Sequence, residues 1–225
     1  MENIVKDLAR YCITKYKFRK ANVSFPFSCK INPYTLLGGQ NIFHKRSYIA
    51  GEIGYGSYVG QDSVITGKVG KFCSIGSNVN VINGRHPYTY PFVSTSPMFF
   101  SPLRQNGKTF ADKPCFEETV FAEGQYPVVI GNDVWINSYV NIISGVTIGD
   151  GAIILAGSTV YKSVPPYALY GGGSIIKYRY LAEDIEFLLR FKWWDKGNEW
   201  LEKHHTLLLD LSKLKEYSKN DLASL

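Results

Sequence analysis

An aliphatic residue recurs at every sixth position through the second half of the chain, and this period restricts the fold more than any other feature. The aliphatic positions are Ile130, Ile136, Ile142, Ile148, Ile154 and Val160. Four positions after each stands a small or β-branched residue, at Val134, Val140, Val146, Ala152, Ser158 and Val164. Neither an amphipathic helix, with a period of about 3.6 residues, nor an exposed strand, with a period of about 2, keeps this phase. The repeat therefore predicts short strands separated by turns.

A weaker copy of the repeat precedes it. The series Ile53, Val59, Ile65 slips at one point and continues as Val69, Ile75, Val81. We expect three six-residue units to form one coil of a narrow prism, with each aliphatic residue and its small partner facing inward. Stacked coils pair their backbones as parallel strands, so neighbouring coils satisfy each other's polar groups. The predicted fold class is an all-β core formed by a parallel β-helix.

The repeat and its flanks predict three regions. Residues 1–40 are expected to form a basic N-terminal helix and a lead-in, residues 41–165 the β-helix, and residues 166–225 a C-terminal helical extension. One face of the N-terminal helix carries Ile4, Val5, Leu8 and Cys12. This helix either docks on the β-helix or binds an anionic membrane surface. We expect it to dock, and we expect no membrane association.

A long segment interrupts the repeat. The six-residue spacing breaks at Asn83-Gly84 and returns near Val128, which leaves residues 84–127 as an inserted loop. Loops of this length are usually functional or disordered. Because this one is rich in phenylalanine and tyrosine, it is unlike a disordered tether. We expect it to pack and to line a pocket.

Charge and composition exclude several classes of partner. The chain carries 25 Lys and Arg against 19 Asp and Glu, and seven of these basic residues with two of the acids fall in the first thirty positions. The body therefore has no basic stripe of the kind that nucleic acid binding requires. No apolar run reaches the roughly 18 residues of a membrane span, and the N-terminus is unlike a signal peptide. Four cysteines without a C-x-x-C pair are typical of free thiols, which predicts the cytoplasm.

His86 is the candidate catalytic residue. It stands where the repeat ends and the inserted loop begins. A rigid coil on one side and an aromatic loop on the other would hold it beside a concave site. Imidazole suits proton abstraction near neutral pH, although a lone loop histidine also serves structural roles. No other histidine lies beside the repeat breaks, so a three-histidine metal site lacks ligands and no metal is expected.

Several strings resemble the xenobiotic branch of the hexapeptide-repeat acyltransferases, which includes the streptogramin and chloramphenicol acetyltransferases. They are Val69-Gly70-Lys71-Phe72-Cys73-Ser74-Ile75-Gly76, Tyr90-Pro91-Phe92, Ile130-Gly131-Asn132-Asp133-Val134-Trp135-Ile136 and Lys192-Trp193-Trp194. The resemblance covers about residues 50–200. It implies a left-handed β-helix, acetyl-coenzyme A as donor, a homotrimer with active sites between subunits, and His86 as the catalytic histidine.

The resemblance also implies a coenzyme groove on the prism walls. Its residues would be Trp135, Ser138, Ala156, Gly157, Tyr161, Lys162 and Arg179, with the lysine and the arginine on phosphates. Candidates for binding the acceptor are Tyr88, Tyr90, Phe92 and Asp62. These aromatic residues can equally anchor the loop, and an aspartate at a coil corner is common for turn reasons alone.

The predicted function is transfer of acetyl from acetyl-coenzyme A to a sugar hydroxyl of a bacterial surface polysaccharide. His86 would act as general base in a direct transfer within a ternary complex. The inserted loop is longer than in the antibiotic-modifying enzymes and resembles relatives that O-acetylate surface sugars. The alternatives are acetylation of a streptogramin or chloramphenicol, and a non-catalytic or metal-dependent trimeric β-helix.

Overall fold

The computed structural model describes residues 2–223 of the chain, so the outer ends of the predicted terminal regions, residue 1 and residues 224–225, lie outside the described residues. The chain divides into two compact units, Met1–Ile185 and Glu186–Leu225. The first unit extends past the predicted boundary at residue 166, because the chain there returns to the β-helix as a hairpin before the helices begin.

The first unit begins with helix α1 (Glu2–Lys17) and continues as short strands. In chain order these are β1 (Lys30–Ile31), β2 (Leu36–Leu37), β3 (Ile42–Phe43), β4 (Tyr48–Ile53), β5 (Tyr58–Val59), β6 (Val64–Val69), β7 (Ser74–Ile75), β8 (Asn80–Ile82), β9 (Val128–Ile130), β10 (Trp135–Ile136), β11 (Asn141–Ile143), β12 (Val146–Ile148), β13 (Ile153–Ile154), β14 (Thr159–Val160), β15 (Ala168–Gly171) and β16 (Ser174–Tyr178). A single 3-10 turn, Pro97–Phe99, lies in the inserted loop between β8 and β9.

The second unit is helical. Helix α2 (Ala182–Phe191) leads into it, and the elements that follow are a 3-10 turn (Trp193–Asp195), α3 (Asn198–His204), a second 3-10 turn (His205–Leu209) and α4 (Leu211–Ala223). Within this unit the Trp200 ring stacks on His204, with 4.9 Å between ring centroids. The predicted C-terminal helical segment is confirmed. None of the helices in the described part of the chain is long and apolar enough to cross a membrane.

The strands of the first unit stack into parallel ladders that form the faces of a prism. Face 1 contains β1, the first halves of β4 and β6, β8, β11 and β14. Face 2 contains β2, the second halves of β4 and β6, β9 and β12. Face 3 contains β3, β5, β7, β10, β13 and β15, and β16 returns antiparallel to β15. This arrangement confirms the predicted parallel β-helix.

The aliphatic residues of the repeat fill the interior of the prism. None of the surface is exposed at Ile136, Ile142, Ile148, Ile154 or Val160. Burial of a side chain of this size contributes about 1.5–3 kcal/mol, against the entropy lost in ordering the chain. The strand of Ile136 pairs with those of Ile75 and Ile154 on either side. The inward orientation predicted from the period is therefore present.

Two coil lengths explain the slip in the weaker repeat. Trp135 lies beside Ile153 in the next coil, a spacing of 18 residues, whereas Tyr48 lies beside Val64, a spacing of 16. Three six-residue units per coil therefore hold only for some coils. In the shorter coils the corner between face 1 and face 2 shrinks to one glycine, Gly51 in β4 and Gly67 in β6, each with a positive φ.

The β-helix begins before residue 41, the predicted start. Strands β1 and β2 already belong to it, and Phe25, Ile31, Leu37 and Phe43 carry the six-residue spacing backward. The sequence pattern hid these coils because their second inward positions hold polar residues, Thr35, Asn41 and Ser47, all buried. Asn41 shows how they are satisfied, since its Nδ2 donates to the carbonyls of Gly54 and Ser57 at 2.8 and 3.0 Å.

Helix α1 docks on the first coils through the side that carries Tyr11 and Thr14. The Tyr11 ring meets Phe25 and Phe27 edge-on, at 5.4 and 5.6 Å between centroids. Thr14 is buried, and the Lys30 ammonium lies 3.8 Å from an Asp7 carboxylate oxygen. The predicted docking is present, but Ile4, Val5, Leu8 and Cys12 take no part in it and are exposed.

The substitution Gly51→Ala is expected to lower the free energy of unfolding by about 2–4 kcal/mol. The new Cβ would collide with the Gly67 carbonyl oxygen, and the φ of Gly51, +105°, is one that alanine rarely adopts. Gly107→Ala is the matched control, since its φ is +83° but its Cβ would meet open space. We expect the control to lose only about 1 kcal/mol. Urea unfolding followed by circular dichroism measures both, and equal losses would contradict the steric account of the corner.

Candidate active site

The His86 imidazole lies at the base of the inserted loop and is held there by two contacts. Its Nδ1 is 2.7 Å from the carbonyl oxygen of Thr95. A carbonyl oxygen only accepts, so Nδ1 carries the proton and Nε2 keeps its lone pair. The ring also meets Phe100 edge-on at 5.5 Å between centroids. No described residue hydrogen-bonds Nε2, and the side chain is exposed, so this nitrogen can accept a proton from a bound molecule.

The inserted loop is closed at its base by Arg85. The Arg85 backbone N–H donates to the Glu118 carbonyl at 2.8 Å, and its Nε donates to the Glu117 carbonyl at 2.9 Å. These bonds join the outgoing and returning limbs next to His86. They therefore fix the position of the backbone from which the His86 side chain extends.

The interior of the loop has a small aromatic core. Phe100 is almost fully buried, and Phe116 packs edge-on against it at 5.7 Å and against Phe92 at 5.5 Å. The Cys115 N–H donates to the Phe100 carbonyl at 2.8 Å. A cavity of about 470 Å³ adjoins this core and is lined by Pro91, Phe92, Val93, Ser94, Phe99 and Phe100. The loop thus packs and lines a pocket, next to the ring that contacts His86.

Three of the predicted groove residues, Ser138, Ala156 and Gly157, meet at one corner of the prism, between face 3 and face 1. Gly157 stacks on Ser138, with its N–H donating to the Ser138 carbonyl at 3.1 Å, and Ala156 beside it is exposed. The Tyr161 hydroxyl donates to the Gly173 carbonyl at 3.0 Å, in the hairpin turn above the same corner. The corner therefore presents exposed backbone with Tyr161 close by.

Trp135 lies on the wall before this corner, whereas Lys162 follows β14 at the opposite edge of face 1. The Lys162 ammonium is exposed and lies 5.8 Å from the centre of the Tyr161 ring. Trp135 is half-exposed on face 3, between Ser74 and Ile153 of the adjacent coils. Both side chains are accessible to a molecule that lies along the wall.

Arg179 is not part of this group. It sits at the corner between face 2 and face 3, where its Nη1 donates to the Gly151 carbonyl at 2.7 Å and lies 3.6 Å from an Asp133 oxygen. Burial raises the pKa of Asp133 above its ordinary value, and the nearby guanidinium opposes that rise. Arg179 therefore has a structural pairing that sequence spacing did not reveal, because the partner carboxylate is far upstream, and its contact with a phosphate stays a prediction.

Asp62 is also engaged elsewhere. Arg46 donates to both of its carboxylate oxygens, from Nε at 2.6 Å and from Nη2 at 2.7 Å. This hydrogen-bonded guanidinium holds the pKa of Asp62 below its usual range. Asp62 precedes face 1 whereas His86 follows it, so one chain does not bring the two together.

The other predicted acceptor residues lie on the loop. Tyr88 is 84% exposed and Tyr90 is 96% exposed, so neither anchors the loop, whereas Phe92 packs on Phe116. Ser138 precedes face 1 and His86 follows it, because β11 pairs in register with β8. Within one chain, the coenzyme corner and the imidazole therefore lie at opposite edges of that face.

The cysteines offer no activated thiol. Cys73 faces inward with no exposed surface, and its Sγ donates to the Gly131 carbonyl at 3.0 Å. Burial raises the pKa of both Cys73 and Cys29 to about 12. Cys115 is exposed, and its Sγ lies 3.4 Å from the Lys113 carbonyl. Among the described residues, no three His, Cys, Asp or Glu side chains are grouped to hold a metal ion.

Sequence comparisons identify relatives. The family described as bacterial transferase hexapeptide (six repeats) matches residues 127–162. A probable macrolide acetyltransferase of Lysinibacillus sphaericus is 39% identical over 159 residues, 68% of this chain and 84% of that protein. A chloramphenicol acetyltransferase of Agrobacterium fabrum is 40% identical over 132 residues, 56% of this chain and 58% of that protein. The chain thus spans little more than half the length of the second relative.

A comparison with solved structures supports the fold. A variant of an N-acyltransferase from Bacillus cereus, in complex with dTDP and coenzyme A, matches with a TM-score of 0.53 and 20% identity. The match covers 76% of this chain and 87% of that chain. At this identity the similarity bears on the fold alone.

Alkylation of the native protein with iodoacetamide at pH 8 is expected to modify Cys12 and Cys115 and to spare Cys29 and Cys73. The reactive species is the thiolate, and a pKa of about 12 keeps the two buried thiols protonated. Mass spectrometry of tryptic peptides measures the modification, and unfolded protein is the control in which all four should react. Rapid native labelling of Cys73 would contradict its inert state.

Proposed function

Because this chain belongs to the hexapeptide-repeat family of bacterial acetyltransferases, we propose that it transfers acetyl from acetyl-coenzyme A to a sugar hydroxyl of a bacterial surface polysaccharide. The observation that carries the chemistry is His86, whose Nδ1 donates to the Thr95 carbonyl and whose Nε2 is left without a described partner. That tautomer is the one a general base needs. We propose that the protein acts in the cytoplasm, where acetyl-coenzyme A is available.

In the proposed reaction both substrates are bound together. Nε2 of His86 takes the proton of the acceptor hydroxyl as its oxygen attacks the thioester carbonyl carbon. The new C–O bond forms, the C–S bond breaks, and the imidazolium returns its proton to the departing thiolate. A cysteine-linked intermediate is disfavoured because Cys73 is buried and protonated and Cys115 has no histidine beside it in the sequence.

We place the donor at the corner of Ser138, Ala156 and Gly157. Exposed backbone groups at Ala156 and Gly157 can hydrogen-bond the pantetheine arm. Lys162 is the proposed phosphate contact, since its exposed ammonium lies 5.8 Å from the Tyr161 ring, whose hydroxyl reaches the turn above this corner. Trp135 offers an apolar wall for the arm.

We propose a homotrimer with sites between subunits. Support comes from the geometry of one chain, in which His86 and Ser138 lie at opposite edges of face 1. A second copy that brings its coenzyme corner to this loop would complete a site that one chain leaves divided. The shared site also accounts for Tyr88 and Tyr90, which project from the loop with 84% and 96% of their surface exposed.

The acceptor class has two candidates. Exposed tyrosines directly after the base suit a sugar ring, because an aromatic face packs against the C–H groups of a pyranose. Acetylation of an antibiotic is the second candidate, and the observation in its favour is the similarity to macrolide and chloramphenicol acetyltransferases. Only the identity of the acceptor separates the two, since donor and base are the same.

The substitution His86→Ala is expected to lower kcat by about 10²–10⁴-fold, the usual span for a general base, with the KM for acetyl-coenzyme A unchanged. The matched control is His44→Ala, which removes an exposed histidine from an early coil and should leave kcat intact. Activity is measured as release of free coenzyme A thiol with sugar nucleotides, glycans and antibiotics as acceptors. Turnover of antibiotics alone would overturn the sugar assignment and leave the base in place. Normal turnover by His86→Ala with loss in Cys115→Ser would overturn the mechanism.

Lys162 and Arg179 are the two cations that the sequence suggested as phosphate contacts, and their substitution is expected to have different effects. Lys162→Ala should raise the KM for acetyl-coenzyme A about tenfold, because a charge-assisted contact is lost. Arg179→Ala should leave that KM unchanged and lower the free energy of unfolding by about 1–2 kcal/mol, since Asp133 and the Gly151 carbonyl lose their donor. Lys45→Ala, at a corner of an early coil, is the control. A raised KM for acetyl-coenzyme A with unchanged stability in Arg179→Ala would indicate instead that Arg179 contacts the coenzyme.

A further inference from the structure

Helix α1 presents an apolar stripe that nothing in its own unit covers. The residues of this stripe are large and exposed, with Val5 at 67%, Leu8 at 52%, Ile13 at 68% and Tyr16 at 67%. They share one side of the helix, since Leu8, the exposed Cys12 and Tyr16 follow at steps of four, and Val5 and Ile13 lie three residues before Leu8 and Tyr16. Most exposed apolar residues of a protein are scattered, whereas a contiguous exposed stripe marks a contact surface.

The stripe is held facing away from the β-helix. Tyr11 and Thr14, on the other side of the helix, pack on the first coils. At the last residue of the helix, the Lys17 ammonium donates to the Pro33 carbonyl at 2.8 Å and to the Thr35 carbonyl at 3.3 Å. The helix therefore already has its docking face, and the stripe is left for a second partner.

Positive charge borders the stripe on both sides. On a helix of about 3.6 residues per turn, Lys15 lies along one border, with its ammonium 4.4 Å from the centre of the Phe25 ring, and Lys6 and Lys17 lie along the other. Arg19 and Lys20 follow directly after the helix end. The acid whose side chain is described, Asp7, lies on the docked side and pairs there with Arg10 at 2.9 Å.

We propose that α1 binds an anionic lipid surface, with the stripe inserted at the level of the headgroups and the basic residues beside it near lipid phosphates. An exposed apolar side flanked by cations is the arrangement that lies in a membrane interface. The described acid, Asp7, is kept off this side, as attraction to negatively charged lipids requires. The inference goes beyond acetyl transfer, because it needs neither coenzyme nor acceptor.

Binding is tested with the purified full chain and two vesicle compositions, phosphatidylcholine alone and an equal mixture of phosphatidylcholine and phosphatidylglycerol. We expect co-sedimentation with the anionic vesicles, at least tenfold weaker with the neutral ones, and a marked loss in 0.5 M salt because the cations act through a screened field. Failure to bind the anionic vesicles would overturn the proposal.

Two paired variants separate the stripe from its charges. Leu8→Asp with Ile13→Asp should weaken binding to anionic vesicles about tenfold or more, since two inserted side chains are lost. Ile176→Asp is the control, an isoleucine of similar exposure (54%) on β16. Lys6→Gln with Lys20→Gln should weaken binding about tenfold, against Lys177→Gln with Lys213→Gln, which removes the same charge elsewhere.

Folding and assembly are measured on the same samples. Circular dichroism and a thermal melt should be unchanged in all variants, because every substituted residue is exposed. Sedimentation velocity decides between a lipid and a protein surface. If Leu8→Asp with Ile13→Asp changes the oligomeric state, or binds anionic vesicles as wild type does, the stripe is not a lipid-binding surface.

Discussion

Backbone pairing between successive coils is the interaction on which the rest of the structure depends. Most strands of the first unit are two or three residues long, too short to be stable in an isolated hairpin. Each is stable because neighbouring coils satisfy its N–H and C=O groups, and because inward aliphatic residues keep water from these bonds. The outward side chains at the corners take no part in the ladders, so positions such as Ala156 can differ in chemistry while the ladders persist.

The repeat alone predicted the parallel ladders, the inserted loop and the inward aliphatic residues, because a spacing of six survives in the linear order of side chains. It did not reveal the first coils, where Thr35, Asn41 and Ser47 replace aliphatic partners and hydrogen-bond to backbone inside the prism. Such residues look like surface residues in a sequence. Only the coil above, which supplies their partners, makes their burial favourable.

Part of the candidate site could be read from the sequence. His86 was identifiable because it stands where a rigid repeat gives way to an aromatic loop. The Thr95 carbonyl that selects its tautomer carries no sequence signal, since any residue has a carbonyl. The pairings of Arg179 and Asp62 carry no sequence signal for a related reason: their partners, Asp133 and Arg46, are distant in the chain and meet them only after coiling.

Among the connections from β3 to β14, the number of residues varies only at the edge of the prism between face 1 and face 2. There the connection is a single glycine at Gly51 and Gly67, two residues between β11 and β12, and the whole segment 83–127 between β8 and β9. At the other two edges the connecting segments from β3 to β14 hold four residues each. An ancestral chain could therefore gain or lose residues at this seam without shifting the register of any ladder. The loop that carries His86 is the largest such addition, so residues of the candidate active site can be replaced at this edge without a change in the β-helix.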